Sequence, residues 1–164
     1  MKNLVYFVFL SGIIIFAGCR QEPPKVDYEK EKEAIKLVLE KYALANENQN
    51  MDYIEDIWSP SENIVSFGTE SDEKLVGFSD IKTAIQRQFD TFTNTFISYR
   101  DQIIEINETG NTAWFSEILY YNFILDGKAH SFEGLRYTGV LVKKDGKWKL
   151  VQTHMSVPYT PEND

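Results

Sequence analysis

The sequence contains one cysteine and two histidines in 164 residues, and this scarcity excludes several classes of protein. A single cysteine cannot form an intramolecular disulfide, so the fold must be stabilised by its core. The histidines, His130 and His154, lack the spacing to other ligand residues that is typical of metal sites. The chain has no nucleophile elbow, phosphate loop or dinucleotide fingerprint. The sequence therefore predicts neither a metal nor a cofactor.

Positive charge is also scarce. The chain has 17 Lys and Arg residues against 25 Asp and Glu residues, which gives a formal net charge of −8. Because nucleic-acid binding depends on basic patches, we expect no nucleic-acid partner. No basic amphipathic stretch is present, so the sequence does not predict binding to lipid headgroups either.

Only one long hydrophobic run occurs, over residues 4–16, and it is shorter than the ~20 residues that a membrane-spanning helix needs. Lys2 before this run and small residues after it are typical of a secretory signal peptide, which we predict at residues 1–18. The sequence Phe16-Ala17-Gly18-Cys19 resembles the bacterial lipobox, although its first residue is usually Leu. A secreted protein without lipid is the alternative.

Lipidation of Cys19 would anchor the protein to the bacterial cell envelope, on the periplasmic side or at the cell surface. The sequence leaves open which of the two membranes holds the anchor. Residues 19–26 contain two adjacent prolines in a polar segment and are predicted to form a tether. We expect one folded domain at residues 27–158 and a short tail at residues 159–164.

Three amphipathic helices are predicted in the first part of this domain. Asp27 can cap a helix that begins at Tyr28, and a polar segment at residues 46–50 ends it. A short second helix is expected at residues 51–58, and Ser79 is a candidate N-cap for a third. The first helix has one apolar stripe, formed by Ile35, Val38, Leu39, Tyr42 and Ala45.

Strand patterns dominate the rest of the chain. Two short strands are predicted at residues 63–68 and 74–76, and four long ones at residues 95–107, 111–125, 128–143 and 147–157. Asp126-Gly127 and Asp145-Gly146 separate the last three, and Asp-Gly between strands favours a tight hairpin. Adjacent Ile103 and Ile104 break the alternation, so we expect bulges and a strongly curved antiparallel sheet. The predicted fold class is α+β, with three helices on one face of the strongly curved sheet.

Two charged residues fall within the apolar strands. Burial of Glu117 would favour its neutral form unless a cation lies close, whereas an exposed position would make it unremarkable. Arg136 has two possible roles: it could bind a ligand carboxylate, or it could pair with Glu117 or Glu133. Both remain open.

His154 is a candidate acid or base, and a structural role is the alternative. Strand alternation places Trp148, Leu150, Gln152, His154 and Ser156 on one face of the last strand and Val151, Thr153, Met155 and Val157 on the other. Aromatic residues of the neighbouring strands could line a ligand cavity or belong to the core. The candidate ligand-binding residues are Trp114, Glu117, Tyr121, Arg136, Tyr137 and His154, and the catalytic candidates among them are Glu117 and His154.

The order of these elements resembles the nuclear transport factor 2-like superfamily, and in particular its SnoaL-like group. The resemblance covers residues 29–158. It depends on GNTAW at residues 110–114, RYT at residues 136–138, and DGKW at residues 145–148 followed by HMS at residues 154–156. Many relatives have His-x-His in the last strand, whereas this chain has Gln152 before His154.

The resemblance implies a cone-shaped, cystatin-like fold with a pocket, and a homodimer. It does not imply isomerase activity, because the carboxylate base of the ketosteroid isomerase-like relatives cannot be placed on a residue of this chain. The preferred hypothesis is a non-catalytic, envelope-anchored domain that binds a small apolar or acidic ligand, or a partner protein. The alternative is an isomerase, cyclase or hydratase in which Glu117 or His154 moves a proton and Arg136 or Tyr137 stabilises an oxyanion.

Overall fold

A computed structural model describes residues 25–159, which form three helices and six strands. The predicted signal peptide, Cys19 and most of the predicted tether lie outside the described residues. Among the residues described, no helix is long and apolar enough to cross a membrane. The elements are α1 (Tyr28–Glu47), α2 (Met51–Ile57), β1 (Val65–Phe67), β2 (Lys74–Val76), α3 (Phe78–Thr91), β3 (Thr93–Ile106), β4 (Thr112–Leu125), β5 (Lys128–Lys144) and β6 (Lys147–Ser156).

The six strands form one curved, unclosed sheet in the order β2-β1-β6-β5-β4-β3. The last four strands are an antiparallel meander, as predicted, and β1 joins its free edge parallel to β6. The helices pack against one face of the sheet, which we call the inner face, and the opposite face is the outer face. The predicted α+β class, with helices on one face of a curved sheet, is confirmed.

The predicted start of α1 is confirmed. The Asp27 side chain accepts a hydrogen bond from the backbone N–H of Lys30 at 3.2 Å, so it satisfies a donor that the first helical turn leaves free. Within α1, the buried residues are Ile35, Leu39, Ala45 and Asn46, which lie on the side of the helix that packs against the sheet. Asn46 is the polar member of this set, and it is 2% exposed.

The predicted cap of α3 is wrong. The helix begins at Phe78 and its N-cap is Gly77, with no side-chain capping bond, so Ser79 lies inside the first turn. Gly77 has a φ of 83°, which glycine adopts without strain, and its N–H donates to the Ile64 carbonyl at 2.9 Å. A contact with a distant part of the chain therefore sets the start of α3.

Two predicted hairpin turns have the expected conformation. Asp126 and Gly127 have φ values of 51° and 73°, and Asp145 and Gly146 have φ values of 50° and 78°. Positive φ at both central residues is the geometry that Asp-Gly favours, and it matches the twist of the flanking strands. The registers of β4 with β5 and of β5 with β6 are therefore determined locally at these turns.

The bulge predicted around Ile103 and Ile104 is also confirmed. The pairing of β3 with β4 shifts between Arg100 and Ile103, and Asp101 in this interval has a φ of 53°. Beyond the shift, the Ile104 side chain lies on the inner face and is 6% exposed, whereas the Ile103 side chain lies on the outer face and is 59% exposed. The extra residues bend β3 and let it follow the curved sheet.

A second bulge, in β6, makes the predicted division of its faces wrong. Val140 pairs with Gln152 and the next residue, Leu141, pairs with Leu150, so Val151 has no partner in β5. The alternation of β6 changes phase at this residue. The side chains on the inner face are those of Trp148, Leu150, Thr153 and Met155. The side chains on the outer face are those of Gln152, His154 and Ser156.

Candidate functional site

A cavity of about 510 Å³ opens between the inner face, α3 and the loop that joins β1 to β2. Helix α1 contributes Tyr42 to its lining, and α3 contributes a row of small and apolar residues that includes Ala84 and Ile85. Such a volume is in the range of small-molecule sites in proteins. The aromatic residues that line it from the inner side are Tyr42, Trp58, Phe92, Tyr121, Phe123 and Phe132. Phe67 also borders the cavity, but its ring packs against His154 on the outer face.

Phe123 is at the centre of the aromatic part of this cavity. Its ring stacks on Phe92 with centroids 3.9 Å apart and on His130 with centroids 5.2 Å apart. The ring of Tyr121 meets it edge-on at 5.9 Å. These rings belong to the C-terminal end of α3 and to the hairpin of β4 and β5, so the hairpin brings His130 to the cavity.

A polar network crosses the cavity between α1, α3 and β4. The Gln88 side-chain amide donates to Asn46 Oδ1 at 2.8 Å and to the Tyr121 hydroxyl at 2.5 Å. The Tyr121 hydroxyl donates to the same Asn46 oxygen at 3.1 Å, and the Asn46 amide donates to the Tyr42 carbonyl at 2.8 Å. Gln88 and Tyr121 therefore present fixed polar groups to a ligand inside an otherwise apolar space.

Burial raises the pKa of Tyr121, and the nearby charges of Tyr42 and Glu47 raise it further. The hydroxyl of Tyr121 consequently keeps its proton at neutral pH. A neutral phenol that already donates to Asn46 can accept a hydrogen bond from a ligand, since its oxygen retains acceptor capacity.

Glu117 lies on the inner face but is not among the residues that line the cavity. It is 5% exposed, and its Oε2 accepts a hydrogen bond from the Gln102 side chain at 2.7 Å. Burial raises the pKa of Glu117, and the bond from Gln102 lowers it in part. Desolvation therefore dominates at this carboxyl group.

Tyr137 occupies the position next to Glu117 on β5 and is fully buried. Its ring packs against Tyr42 at 5.1 Å and edge-on against Phe115 at 4.9 Å. Among the residues that the structure describes, its hydroxyl has no hydrogen-bond partner. Burial is the largest cause that raises the pKa of Tyr137 well above the usual value. The residue belongs to the core below the cavity.

The other three candidates, Trp114, Arg136 and His154, lie on the outer face. Trp114 is 50% exposed, and Arg136 and His154 are exposed as well. His154 is adjacent to Phe67 of β1, with ring centroids 5.9 Å apart. The sheet separates these side chains from Glu117, so Arg136 does not pair with that carboxylate. The six candidates do not converge on one pocket, and only Tyr121 lines the cavity.

Sequence reasoning missed Asn46, Gln88 and His130. The sequence places Asn46 in the polar segment that ends α1. In the structure, however, the Asn46 side chain is buried below the cavity. Gln88 lies on the buried stripe of α3, and a polar residue in that position is a usable indication of a site. His130 alternates with Phe132, so it shares the inner face with that aromatic residue.

Within residues 25–159, no three His, Cys, Asp or Glu side chains are close enough together to hold a metal ion. The polar groups at the cavity are amides, hydroxyls, an imidazole and a few charged side chains at its mouth. Such a set suits hydrogen bonding to a small molecule.

The sequence of residues 35–160 matches the family model described as the SnoaL-like domain. The chain belongs to the SnoaL-like family. No curated protein matches the sequence at a significant level. The match to this family model confirms the superfamily that was predicted from the order of elements.

Solved structures share the fold of this SnoaL-like domain. A nuclear transport factor 2-like superfamily protein from Salmonella enterica has a TM-score of 0.73 at 16% identity, over 81% of this chain and 94% of that one. A protein from Novosphingobium aromaticivorans, named as a candidate scytalone dehydratase, has a TM-score of 0.72 at 14% identity, over 84% and 90% of the two chains. A protein with a cystatin-like fold from Caulobacter vibrioides has a TM-score of 0.67 at 15% identity, over 79% and 91%. At these identities the likeness shows the fold alone.

Proposed function

We propose that the cavity binds a small, mainly apolar molecule and that the domain holds this molecule without converting it. The observation that carries the proposal is an aromatic-lined space of about 510 Å³ with the Gln88 and Tyr121 groups fixed at one side. Aromatic side chains bury the apolar surface of a ligand, and a few oriented polar groups determine which ligand binds and in which orientation. Arg136 lies on the outer face, so it gives no support to an acidic ligand in this cavity.

The non-catalytic part of the proposal is supported by the positions of Glu117 and His154, the two catalytic candidates from the sequence. An acid or base must come within hydrogen-bond reach of the substrate. Glu117 does not line the cavity, and His154 lies on the other face of the sheet. The two groups that were candidates for proton transfer are therefore not arranged around a common substrate position.

Binding can be tested with the neutral fluorescent probe N-phenyl-naphthylamine, whose emission rises in apolar surroundings. Ala84→Phe places a ring inside the cavity and should abolish the rise in emission. Ala129→Phe is the matched control, because Ala129 is exposed on β5 and is not part of the lining. Undiminished probe binding by a folded Ala84→Phe protein would contradict the proposal.

Acid–base chemistry in the same cavity is the second candidate function. It is supported by His130, a titratable side chain that lines the cavity and stacks on Phe123. The test is a screen of small ketones, enols and epoxides with the wild-type protein and with His130→Ala. Turnover that His130→Ala abolishes would replace the non-catalytic proposal, and turnover abolished by His154→Ala would require chemistry on the outer face.

The outer face is proposed as the site of a homodimer, the partner that the family resemblance implied. It exposes large apolar side chains, among them Phe96 (59% exposed), Ile103 (59%) and Trp114 (50%). Exposed apolar side chains on one face favour association with another protein, and one face can serve both subunits around a two-fold axis. Sedimentation should give a dimer that Trp114→Lys dissociates. Leu37→Lys, at a 63% exposed position on α1, is the control and should remain dimeric.

Attachment to the cell envelope through Cys19 is a further part of the proposal, supported by the sequence of residues 1–19. Cells that express the protein can be labelled with radioactive palmitate. Label should enter the wild-type protein and be absent from Cys19→Ser. Equal labelling of both proteins, or of neither, would contradict lipidation at this residue.

A further inference from the structure

The loop between β1 and β2 forms one side of the cavity mouth and is strongly acidic. Its residues 68–73 read GTESDE, with three carboxylates and no basic residue. Gly68, Thr69, Glu70 and Glu73 of this loop line the cavity. The chemistry of the loop therefore affects which ligands can enter and bind.

Glu73 is the carboxylate of this loop that is turned inward. It is half-buried, and its side chain folds across Gly68 so closely that a β-carbon at position 68 would overlap the carboxylate. Only glycine leaves the space that this conformation needs. The Glu73 carboxylate therefore lies against Gly68, and both residues line the cavity.

The charge of Glu73 also reaches the tyrosine at the base of the cavity. Burial is the main cause that raises the pKa of Tyr42, a hydrogen bond with Asn46 lowers it, and the negative charge of Glu73 raises it again. The charge of Glu117 raises the pKa of Tyr42 as well. Tyr42 and Glu73 both line the cavity.

Among residues 25–159, no cation neutralises this carboxylate. In the described part of the protein, no Lys or Arg nitrogen lies within 4.0 Å of the Glu73 carboxylate. Its Oε2 accepts one long hydrogen bond, of 3.4 Å, from the backbone N–H of Glu70. Arg87 also lines the cavity, but it is exposed on α3 and makes no ion pair within the same distance of a described carboxylate. A half-buried carboxylate without a partner is complementary to a ligand cation.

We propose that the ligand of this cavity is an apolar or aromatic amine whose ammonium group binds the carboxylate of Glu73. This inference rests on the proposed binding function and names its ligand class. The ammonium group donates charge-assisted hydrogen bonds to Glu73, and the apolar body of the ligand lies among Phe92, Phe123 and Phe132.

Three naphthalene derivatives with an aminomethyl, hydroxymethyl or carboxylate substituent at the same ring position test the ligand class. Their dissociation constants are measured by equilibrium dialysis against the full chain at neutral pH, where the amine is protonated and the acid ionised. The amine should bind about tenfold more tightly than the alcohol, because only the ammonium group adds a charge–charge attraction to its hydrogen bond with the carboxylate. The carboxylate should bind more weakly than the alcohol.

Glu73→Gln should remove the preference for the amine over the alcohol, and its circular dichroism spectrum should match that of the wild-type protein, which shows that the variant is folded. Asp72→Asn is the matched control, because Asp72 is an exposed carboxylate of the same loop that does not line the cavity. This control should keep the preference. Equal loss in both variants would show a general charge effect and overturn the role of Glu73.

The remaining outcomes separate this inference from the proposed function. If none of the three compounds binds, the binding function itself fails and the inference fails with it. If the alcohol binds as tightly as the amine, the binding function stands and the amine is the wrong ligand class. If the carboxylate binds best and Arg87→Gln abolishes that preference, the cavity selects an acidic ligand and the inference is overturned.

Discussion

The two faces of the sheet consist of the same four long strands but have different surroundings. On the inner face, Leu119, Leu141 and Leu150 are almost completely buried and support the cavity. On the outer face, Phe96, Ile103 and Trp114 are at least half exposed, because no element of the described chain covers them. Residue type therefore does not distinguish the faces, and both contain large apolar side chains. The difference lies in what packs against each face.

Ionisable groups are buried on the inner face and exposed to solvent on the outer face, as Glu117 and Arg100 show. Glu117 on the inner face has one hydrogen bond and a raised pKa. Arg100 on the outer face donates to the Tyr120 hydroxyl at 3.1 Å and pairs with Asp101 in solvent. Such an exposed pair contributes little to stability, whereas an ionised group on the inner face is costly.

The largest expected effect comes from the adjacent isoleucines of β3. Ile104→Ala should lower the free energy of unfolding by about 2–5 kcal/mol, because it leaves a cavity in the core. Ile103→Ala should change the unfolding of the monomer by about 0.5 kcal/mol or less, because Ile103 is exposed. Urea unfolding at protein concentrations below dimer formation measures both. Similar losses for the two variants would show that the outer face is covered in the monomer.

A smaller effect, of opposite sign, is expected at Glu117. The folded protein holds the pKa of this carboxyl above its unfolded value, so stability is lost as pH rises through the folded pKa. Glu117→Gln removes the buried charge and should stabilise the protein by about 1 kcal/mol at neutral pH. The gain should disappear below about pH 4, where the carboxyl is protonated in both states.

Urea unfolding as a function of pH measures this gain. Glu133→Gln, at an exposed position of β5, is the control and should show no such pH dependence. If Glu117→Gln destabilises the protein at neutral pH, the ionised carboxylate has a stabilising partner and desolvation does not dominate.

The smallest effect is expected at the edge of the inner face, at Glu31. Its two carboxylate oxygens accept hydrogen bonds from Lys143 at 2.6 Å and from the Trp148 indole at 2.7 Å, which attach α1 to the last hairpin. The bond from Lys143 is the main cause that lowers the pKa of Glu31. This stabilisation is present above the unfolded pKa and is lost as pH falls through the folded pKa.

Glu31→Gln should therefore cost about 0.5 kcal/mol at neutral pH and less in acid, measured by the same urea titration. Glu29→Gln is the matched control: it removes an exposed carboxylate from the same helical turn but no hydrogen bond between α1 and the hairpin. A cost that is equal for the two variants would assign the effect to the helix dipole.

Most elements of the fold could be predicted because their causes are local in the sequence. The cap at Asp27 and the turn at Asp145-Gly146 each depend on a few neighbouring residues, and both are observed. The face of His154 was not predicted, although the adjacent apolar residues Leu150 and Val151 interrupt the alternation of β6 at its bulge. The bulge at Ile103 and Ile104 was predictable, since two adjacent isoleucines interrupt the alternation of β3.

The candidate site was less predictable than the fold. Tyr121 was identified because it is an aromatic residue in an apolar strand, and it lines the cavity. Gln88 and Asn46, which hold its hydroxyl, are 33 and 75 residues away in the sequence. Glu73 lies in a polar loop, and nothing in the loop sequence indicates that its side chain turns inward across Gly68.

The sequence by itself determined the three helices, the hairpin turns and the family, because capping, turn chemistry and apolar periodicity act over short distances. The tertiary structure decided which candidates share a space. It placed Tyr121, Gln88 and Glu73 at one cavity and moved Arg136 and His154 to the opposite face. The physical reason is that a bulge changes the direction of every later side chain in its strand, and that helix and loop packing depends on contacts between distant residues.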